Sequence, residues 1–379
     1  MRDEEFDRLE AILGQSLFFP SGVIRDWLTG IGTQHVRAAR KSGRLAAGLA
    51  IIPMGQWFGG VSVSMGGISA VGVAPEHRGS GVGAALMRHT LEELHAEGVP
   101  LSALYPATLT FYRQTGYERA ATRVVYELPT GSIATRDRML DVVPVEPPDY
   151  EALRRLYTQR ARASAGNLDR PAVLWNNYLA PKDKIAYKYM ATRDGRPEGY
   201  IVFQQSGRNE PLNVRDICAL TPEAGRRLLT LLADHRSMVE AVRWIGGPLD
   251  PLLFLLPEQT YKVHWSIDLM LRIVDVAGAL GARGYPQGLD AELHLDVRDD
   301  LLPWNNRRFV LELSGGQPHV HEGGQGRLRV GIRELAALYS GYLTPSELHV
   351  VGAIEAPERD LATAGLVFSG PRPWIPDMF

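Results

Sequence analysis

The stretch at residues 71–87, VGVAPEHRGSGVGAALM, decides how the first third of this chain folds. The β-branched run Val71-Gly72-Val73 predicts a strand, and Pro75 ends it. Residues 78–83, RGSGVG, then open a helix that we expect to run to about residue 97. A glycine-rich turn that feeds a helix directs free backbone N–H groups and the positive end of the helix dipole at one point. Such a point binds a phosphate or pyrophosphate.

Two other ligand-binding patterns and a plain structural turn are alternatives for this loop. Gly79, Gly81 and Ala84 formally match the dinucleotide pattern G-x-G-x-x-G/A. That pattern places its glycines directly after the strand and an acidic residue roughly 20 positions later, but residues 74–78 intervene here and no carboxylate follows near Tyr105. A P-loop needs Gly-Lys-Ser/Thr, and Gly83 is followed by alanine. A structural turn without a ligand stays an alternative.

The order Arg-Gly-x-Gly-x-Gly after the strand end resembles the acetyl-coenzyme A loop of the GNAT N-acetyltransferases. The resemblance implies that the loop amides hold the pyrophosphate, and that the backbone of the preceding splayed strand holds the pantetheine and polarises the thioester carbonyl. The cofactor-binding residues that follow from it are Val71, Gly72, Val73, Arg78, Gly79, Ser80, Gly81, Val82, Gly83, Ala84, Ala107 and Thr108.

A second match follows at residues 111–117, FYRQTGY, after a strand expected at residues 99–105. GNAT enzymes often carry FY-x-x-x-GY/F at this place, and the resemblance implies that Tyr112 donates a proton to the departing thiolate. A tyrosine packed in the core with a satisfied hydroxyl is the ordinary alternative. Gly116 is expected to end the short helix that carries Tyr112.

Composition excludes several classes of protein. The 379 residues are 45% hydrophobic and 22% charged, as in a globular protein, and the net charge of -2 gives no bulk attraction for nucleic acid. Cys218 is the single cysteine, so no internal disulfide is possible and a reducing, cytoplasmic setting is expected. The charged start of the chain predicts no signal peptide, and no apolar run reaches the roughly 18 residues of a membrane span.

Periodicity divides the chain into three segments of mixed α/β structure. Residues 1–130 form the first, in which Lys41-Ser42-Gly43 predicts a hairpin turn and Gly66-Gly67 predicts a break between strands at residues 61–65 and 68–73. Residues 135–283 repeat its αβ order without a glycine loop, so we expect a duplicate that binds no cofactor. Within it, Thr221-Pro222-Glu223 predicts a helix start with a threonine cap. Residues 288–379 form the third segment and end in PRPWIPDMF, an apolar, proline-rich tail that favours docking over fraying.

Over essentially the whole chain, three modules in this order resemble the Eis (enhanced intracellular survival) family of GNAT N-acetyltransferases. The resemblance rests on LMLRIVDVAGAL (residues 269–280), LHLDVRDDLLPWNN (residues 293–306) and the terminal PWIPDMF. It implies tandem GNAT-like domains, then a sterol-carrier-protein-like α+β domain whose C-terminal carboxylate, here that of Phe379, acts as general base. It also implies a homohexamer that acetylates amines of small polyamine or aminoglycoside-type molecules. Some relatives have an acidic residue just before the terminal Phe, whereas this chain has Met378 and places Asp377 one position earlier.

The implied chemistry is direct transfer without a covalent intermediate. A tyrosine with a pKa near ~10 is a slightly weak acid for a thiolate near ~8.5, by roughly 2 kcal/mol. A terminal carboxylate with a pKa near ~3.5 serves as a base only if it is partly desolvated or acts through an ordered water. Two other functions stay open: acetylation of protein lysines, and non-catalytic binding of acyl-CoA or lipid.

Histidines in the third segment suggest a metal site only weakly. His319 and His321 would share one face of a strand, but the surrounding glycines and Pro318 favour a solvated loop. No metal is therefore expected.

Overall fold

The computed structural model describes residues 3–20, 22–147, 149–181, 185–207 and 210–379. Met1 and Arg2, the first residues of the charged N-terminal stretch, lie outside the described residues. The chain separates into two compact units. One holds the chain up to Ala120 together with Leu269–Gly370 and Phe379, and the other holds Ala121–Asp268 and Pro371–Met378.

The first unit begins with two helices and a mixed sheet. Leu9, Ile12 and Leu13 are buried on one face of the first helix, as the 3.6-residue period predicts. A tight turn with left-handed Ser42 and Gly43 joins the first two strands, as the sequence indicates. The elements are α1 (Asp3–Leu17), α2 (Val23–Ile31), β1 (Val36–Lys41), β2 (Arg44–Phe58), β3 (Val61–Val73), α3 (Val82–Ala96), β4 (Leu101–Leu104) and α4 (Leu109–Gln114).

Strands β3 and β4 are parallel, and α3 is the connection between them. The sequence suggested a break in the strand at Gly66-Gly67, and this is wrong. Strand β3 runs without interruption from Val61 to Val73, because both glycines keep their pairing with β2 through Pro53 and Ile52.

In the second unit, neighbouring strands of the sheet follow the order β5-β11-β10-β9-β8-β6. Helix α7 connects the parallel strands β10 and β11, which repeats the β3-α3-β4 arrangement. The elements are β5 (Glu118–Pro129), β6 (Asp141–Pro144), α5 (Tyr150–Arg162), β7 (Leu168–Asp169), α6 (Ala172–Leu179), β8 (Ala186–Arg193), β9 (Arg196–Gln204), β10 (Leu212–Ala219), α7 (Pro222–Ala233), β11 (Ala241–Gly246) and β12 (Lys262–Ile273). The end of β12 belongs to the first unit, where residues 270–273 pair with β4.

The C-terminal part of the chain forms a five-stranded sheet in the order β15-β14-β13-β16-β17 with four helices. Leu293, Leu295 and Val297 alternate towards the core and are buried, as their spacing predicts. The elements are α8 (Val276–Ala282), β13 (Ala291–Arg298), β14 (Arg308–Ser314), β15 (Gln317–Glu322), β16 (Leu328–Gly331), α9 (Ile332–Ser340), α10 (Pro345–Val350), β17 (Ile354–Glu355) and α11 (Glu358–Val367).

Candidate active site

The N-terminal end of α3 is open. Gly81 precedes the helix with a left-handed φ of 81, makes no side-chain cap hydrogen bond, and no acidic residue lies in the first turn. The first backbone bond is from Ala85 N–H to Gly81 O at 3.0 Å, so the N–H groups before Ala85 lie ahead of the first intrahelical bond. These donors and the helix dipole make the α3 start suitable for a phosphate group.

The glycines of the loop serve two different purposes. A Cβ on Gly79 or Gly81 would meet nothing within 4 Å, but their φ angles of +72 and +81 disfavour any residue with a side chain. A Cβ on Gly83 would lie 3.1 Å from Val73 Cγ2 and 3.4 Å from Phe111 Cζ. Gly83 therefore lets α3 approach both the end of β3 and the helix that carries Tyr112.

A gap opens between β3 and β4 beyond Gly67. The two strands pair only from Met65 to Gly67, while β3 continues to Val73 and β4 ends at Leu104. Ala74 N–H donates to Ala46 O of β2. Because backbone groups alternate along a strand, those of the preceding residue Val73 point away from β2. In that direction Val73 O accepts from Ser16 Oγ at 3.3 Å.

A β-bulge near the end of β3 sets this direction. The register with β2 shifts between Gly48 and Ala50, and Ala70 on the opposite strand has a φ of 54. Alanine is unfavourable in this left-handed region, by about 1 kcal/mol or more. Nothing in the residue type signals this bulge, so it could not be predicted from the sequence.

Tyr112 lies in α4 and is 6% exposed. Its ring contacts Phe111 and Tyr117 edge-on, with centroids 5.0 Å and 6.1 Å away. Burial raises the pKa of Tyr112 to about 12, since the low-dielectric surroundings disfavour the phenolate. The hydroxyl therefore carries its proton throughout the neutral range. Ala107 and Thr108, just before α4, are exposed.

The C-terminal residue packs at the mouth of the gap. A Cβ built on Gly67 would lie 2.9 Å from Phe379 Cε2, and the Phe379 ring is edge-on to Tyr105 with centroids 5.9 Å apart. Gly67, interpreted from sequence as a strand break, instead leaves room for the terminal ring. The last residue of the tail is therefore packed against the protein, as its apolar sequence predicts.

The second unit holds the tail residues before Met378. Arg170 Nε donates to Asp377 Oδ1 at 2.7 Å, and neither side chain has solvent exposure. Arg123 Nε donates to Pro376 O at 3.1 Å. Nothing in the residues around Arg170 predicts a role for it, and Asp377 is its partner in an internal ion pair.

The histidine pair lies on a strand rather than in the expected loop. His319 and His321 belong to β15, whose hairpin with β14 turns at Gly315 and Gly316. Their ring centroids are 5.7 Å apart. Across the described ranges, no group of three or more His, Cys, Asp or Glu side chains could hold a metal ion.

Family models match three parts of the chain. Residues 1–120 and 166–273 each match an acetyltransferase (GNAT) domain, and residues 276–376 match a sterol carrier protein domain. The fold and its open helix start thus define a class: two acetyltransferase domains followed by a sterol carrier domain. The fold class expected from the sequence is confirmed.

Relatives of known name agree with this class. A crystal structure of a GCN5-related N-acetyltransferase from Anabaena variabilis is 40% identical, with a TM-score of 0.96 over 100% of this chain and 98% of that one. An uncharacterized N-acetyltransferase of Streptomyces griseus is 31% identical over 85% of this chain and 83% of its own length. N-acetyltransferase Eis of Mycobacterium tuberculosis is 30% identical over 68% of this chain and 66% of its own length. The chain belongs to the Eis-like GNAT family and is an N-acetyltransferase.

Within the part of the chain that is described, no helix combines the length and the apolarity that crossing a bilayer requires.

Proposed function

We propose that the protein transfers the acetyl group of acetyl-CoA directly to an amine of a small polyamine or aminoglycoside-type molecule. The observation that carries this proposal is the position of Phe379 against Gly67, where β3 and β4 separate. This position of the ring supports the proposal because it would bring the terminal carboxylate towards the place where the cofactor's thioester would lie. The three domains at residues 1–130, 135–283 and 288–379, and a homohexamer, are part of the same proposal.

The cofactor would bind along the open edge of β3 and the start of α3. Residues 78–84 would hold the pyrophosphate mainly through the N–H groups of Gly79 and Gly81 to Ala84, since those of Arg78 and Ser80 already donate to Pro75 O and His77 O. Val71 to Val73 would hold the pantetheine by strand-like hydrogen bonds. Ala107 and Thr108 would contact the cofactor from the start of α4, since both are exposed. The sum of these contacts brings the thioester to the amine, and proximity supplies much of the rate.

Tyr112 would serve as the general acid. With its pKa at about 12, complete proton transfer to a thiolate near ~8.5 is uphill by about 5 kcal/mol, more than the unperturbed values suggest. Two effects reduce this gap. The same burial raises the pKa of the departing thiolate, and a hydrogen bond from Tyr112 to the sulphur stabilises the charge as it develops.

The Phe379 carboxylate would take the proton from the attacking amine. A carboxylate is a weak base for an ammonium, so it would act through an ordered water or on an amine bound in its neutral form. The apolar ring beside Tyr105 lowers the polarity around this end of the chain. Partial desolvation raises the pKa of a carboxylate and makes it a better base.

The test is a thiol-release assay with acetyl-CoA across polyamines, aminoglycosides and a lysine peptide. Tyr112→Phe should lower kcat about 100-fold or more, whereas Tyr126→Phe, which removes another buried hydroxyl with a pKa raised to about 12, should leave kcat unchanged. Deleting Phe379 should abolish turnover and preserve acetyl-CoA binding, while Phe379→Leu keeps the carboxylate and should retain most activity. Turnover by the deleted chain would refute the base assignment, and acetylation of the peptide alone would redirect the substrate class.

A further inference from the structure

A buried ion-pair cluster holds the tail in the second unit. Arg170 donates from Nε to Asp377 Oδ1 at 2.7 Å and from Nη1 to Asp216 Oδ2 at 2.6 Å. Asp216 also accepts from Tyr200 Oη at 2.7 Å and from Arg160 Nη1 at 2.9 Å. One guanidinium without solvent exposure therefore joins the tail to a carboxylate of strand β10.

Aromatic rings enclose the guanidinium of Arg170. Its central carbon lies 3.8 Å from the ring centroid of Tyr157, 4.2 Å from that of Tyr178 and 4.8 Å from that of Trp175. Cation–π attraction is strongest where water is excluded, as it is here. Burial alone would raise the pKa of Asp216, but Arg160 and Arg170 together hold it well below its usual value.

Backbone contacts extend this anchor along the tail. Trp374 N–H donates to Ala165 O at 3.0 Å, and Trp374 O accepts from Asn167 Nδ2 at 3.0 Å. Pro376 O accepts from Arg123 Nε at 3.1 Å and from Tyr178 Oη at 3.3 Å. The bonded segment ends at Asp377, and the two residues that follow carry the terminal carboxylate.

We propose that Arg170 and Asp377 are positioning residues for the Phe379 carboxylate, an inference that rests on the proposed function. Two residues of chain span at most about 7 Å, so the anchor confines the carboxylate to a small volume. Freeing those residues would restore their backbone entropy and spread the carboxylate over many positions.

The anchor of the tail is an ion pair, and this indicates that it fixes the position of the tail rather than adding stability. A buried ion pair often adds little stability compared with apolar residues of the same size, because both charges lose their water. It does fix register, since Asp377 can meet Arg170 in only one alignment of the tail. An apolar tail held by packing alone could slip by one residue, and such a slip would move the carboxylate by about 3.3 Å.

Three variants test this role in the full-length enzyme. Asp377→Ala should lower kcat about 10- to 100-fold with the KM for acetyl-CoA unchanged, since misplacement of a reacting group acts on the chemical step. Asp377→Asn is the milder second variant, should Asp377→Ala fold poorly. Tyr200→Phe is the matched control: it removes a bond to Asp216 inside the same cluster but no contact of the tail, so kcat should not change.

Carboxypeptidase A gives a readout that does not depend on catalysis. It should release Phe379 several-fold faster from Asp377→Ala and Asp377→Asn than from the wild type or Tyr200→Phe, at equal melting temperature. Unchanged release, or unchanged kcat despite faster release, would overturn the positioning role. Activity that survives deletion of Phe379 would instead overturn the proposed base, and the release rates would still report whether Asp377 anchors the tail.

Discussion

Helices α3 and α7 each connect two parallel neighbouring strands, yet their N-terminal ends differ. At α3, Gly81 offers no side-chain cap and the first turn has no acid. At α7, Thr221 Oγ1 accepts from Ala224 N–H at 3.2 Å, Pro222 lacks an N–H, and Glu223 places a carboxylate in the first turn. The comparison teaches that a few residues at a helix start, rather than topology, decide whether that end is available to an anion.

The largest effect should come from giving α3 the acid of α7. Ala84 is exposed in the first turn, so Ala84→Glu should fold normally and gain slightly from the helix dipole. Its carboxylate would repel the pyrophosphate and weaken acetyl-CoA binding about 30-fold, or about 2 kcal/mol. Calorimetric titration with acetyl-CoA measures this, with Ala84→Gln as the neutral control. Equal affinities for the two variants would show that no phosphate binds at this turn.

Gly81→Ala tests the backbone that leaves the α3 start open. The Cβ meets no atom, so the left-handed φ alone should destabilise the protein by roughly 1–2 kcal/mol. The same substitution at Gly365, inside α11 with open space and no positive φ, should stabilise it by about 0.5–1 kcal/mol. Urea denaturation of both variants checks this, and a change of the same sign in both would contradict the conformational argument.

Removing the cap of α7 should affect stability alone. Thr221→Ala loses the bond to Ala224 N–H and should cost about 1 kcal/mol in the free energy of unfolding, while Thr221→Ser should retain most of it. The KM for acetyl-CoA should be the same in both variants. A raised KM in Thr221→Ala would mean that the second GNAT domain takes part in cofactor binding.

The smallest effect is a pH dependence confined to the α7 start. Hydrogen bonds from Arg193, the larger cause, and Thr221 lower the pKa of Glu198. A lowered folded-state pKa stabilises the protein above the unfolded value of about 4.3, and that stabilisation is lost as the pH falls below it. The stability difference between wild type and Thr221→Ala should therefore shrink from pH 6 to pH 3.5 in urea denaturation. A constant difference would mean that the Thr221–Glu198 bond contributes nothing.

Structure could be predicted from the sequence where it depends on a few neighbouring residues. Gly79 and Gly81 adopt the positive φ that glycine tolerates, and Thr221 caps the helix that Pro222 begins. Both loops could therefore be predicted from residue types. The alternation of Leu293, Leu295 and Val297 predicts a half-buried strand, and β13 contains all three residues.

Long-range pairing is what the sequence could not supply. Arg170 and Asp377 are 207 positions apart, and the residues around each of them give no indication that the two pair. The gap between β3 and β4 and the bulge at Ala70 depend on which strands become neighbours. The expected break at Gly67 is wrong for the same reason, because this residue pairs with Ile52 of β2 and lies against the last residue of the chain. The glycines around His319 marked a hairpin turn, but the strand they flank was missed.

The seating of Phe379 beside Gly67 has a practical consequence for how the enzyme is made. Under the proposed mechanism, a peptide bond from Phe379 to any further residue would consume the free carboxylate that acts as the base. An affinity tag fused behind Phe379 would therefore yield a folded protein that binds acetyl-CoA and does not turn it over. Affinity tags for purification should therefore be placed at the N-terminus. The activity of protein tagged at the C-terminus should not be compared with that of protein whose terminal carboxylate is free.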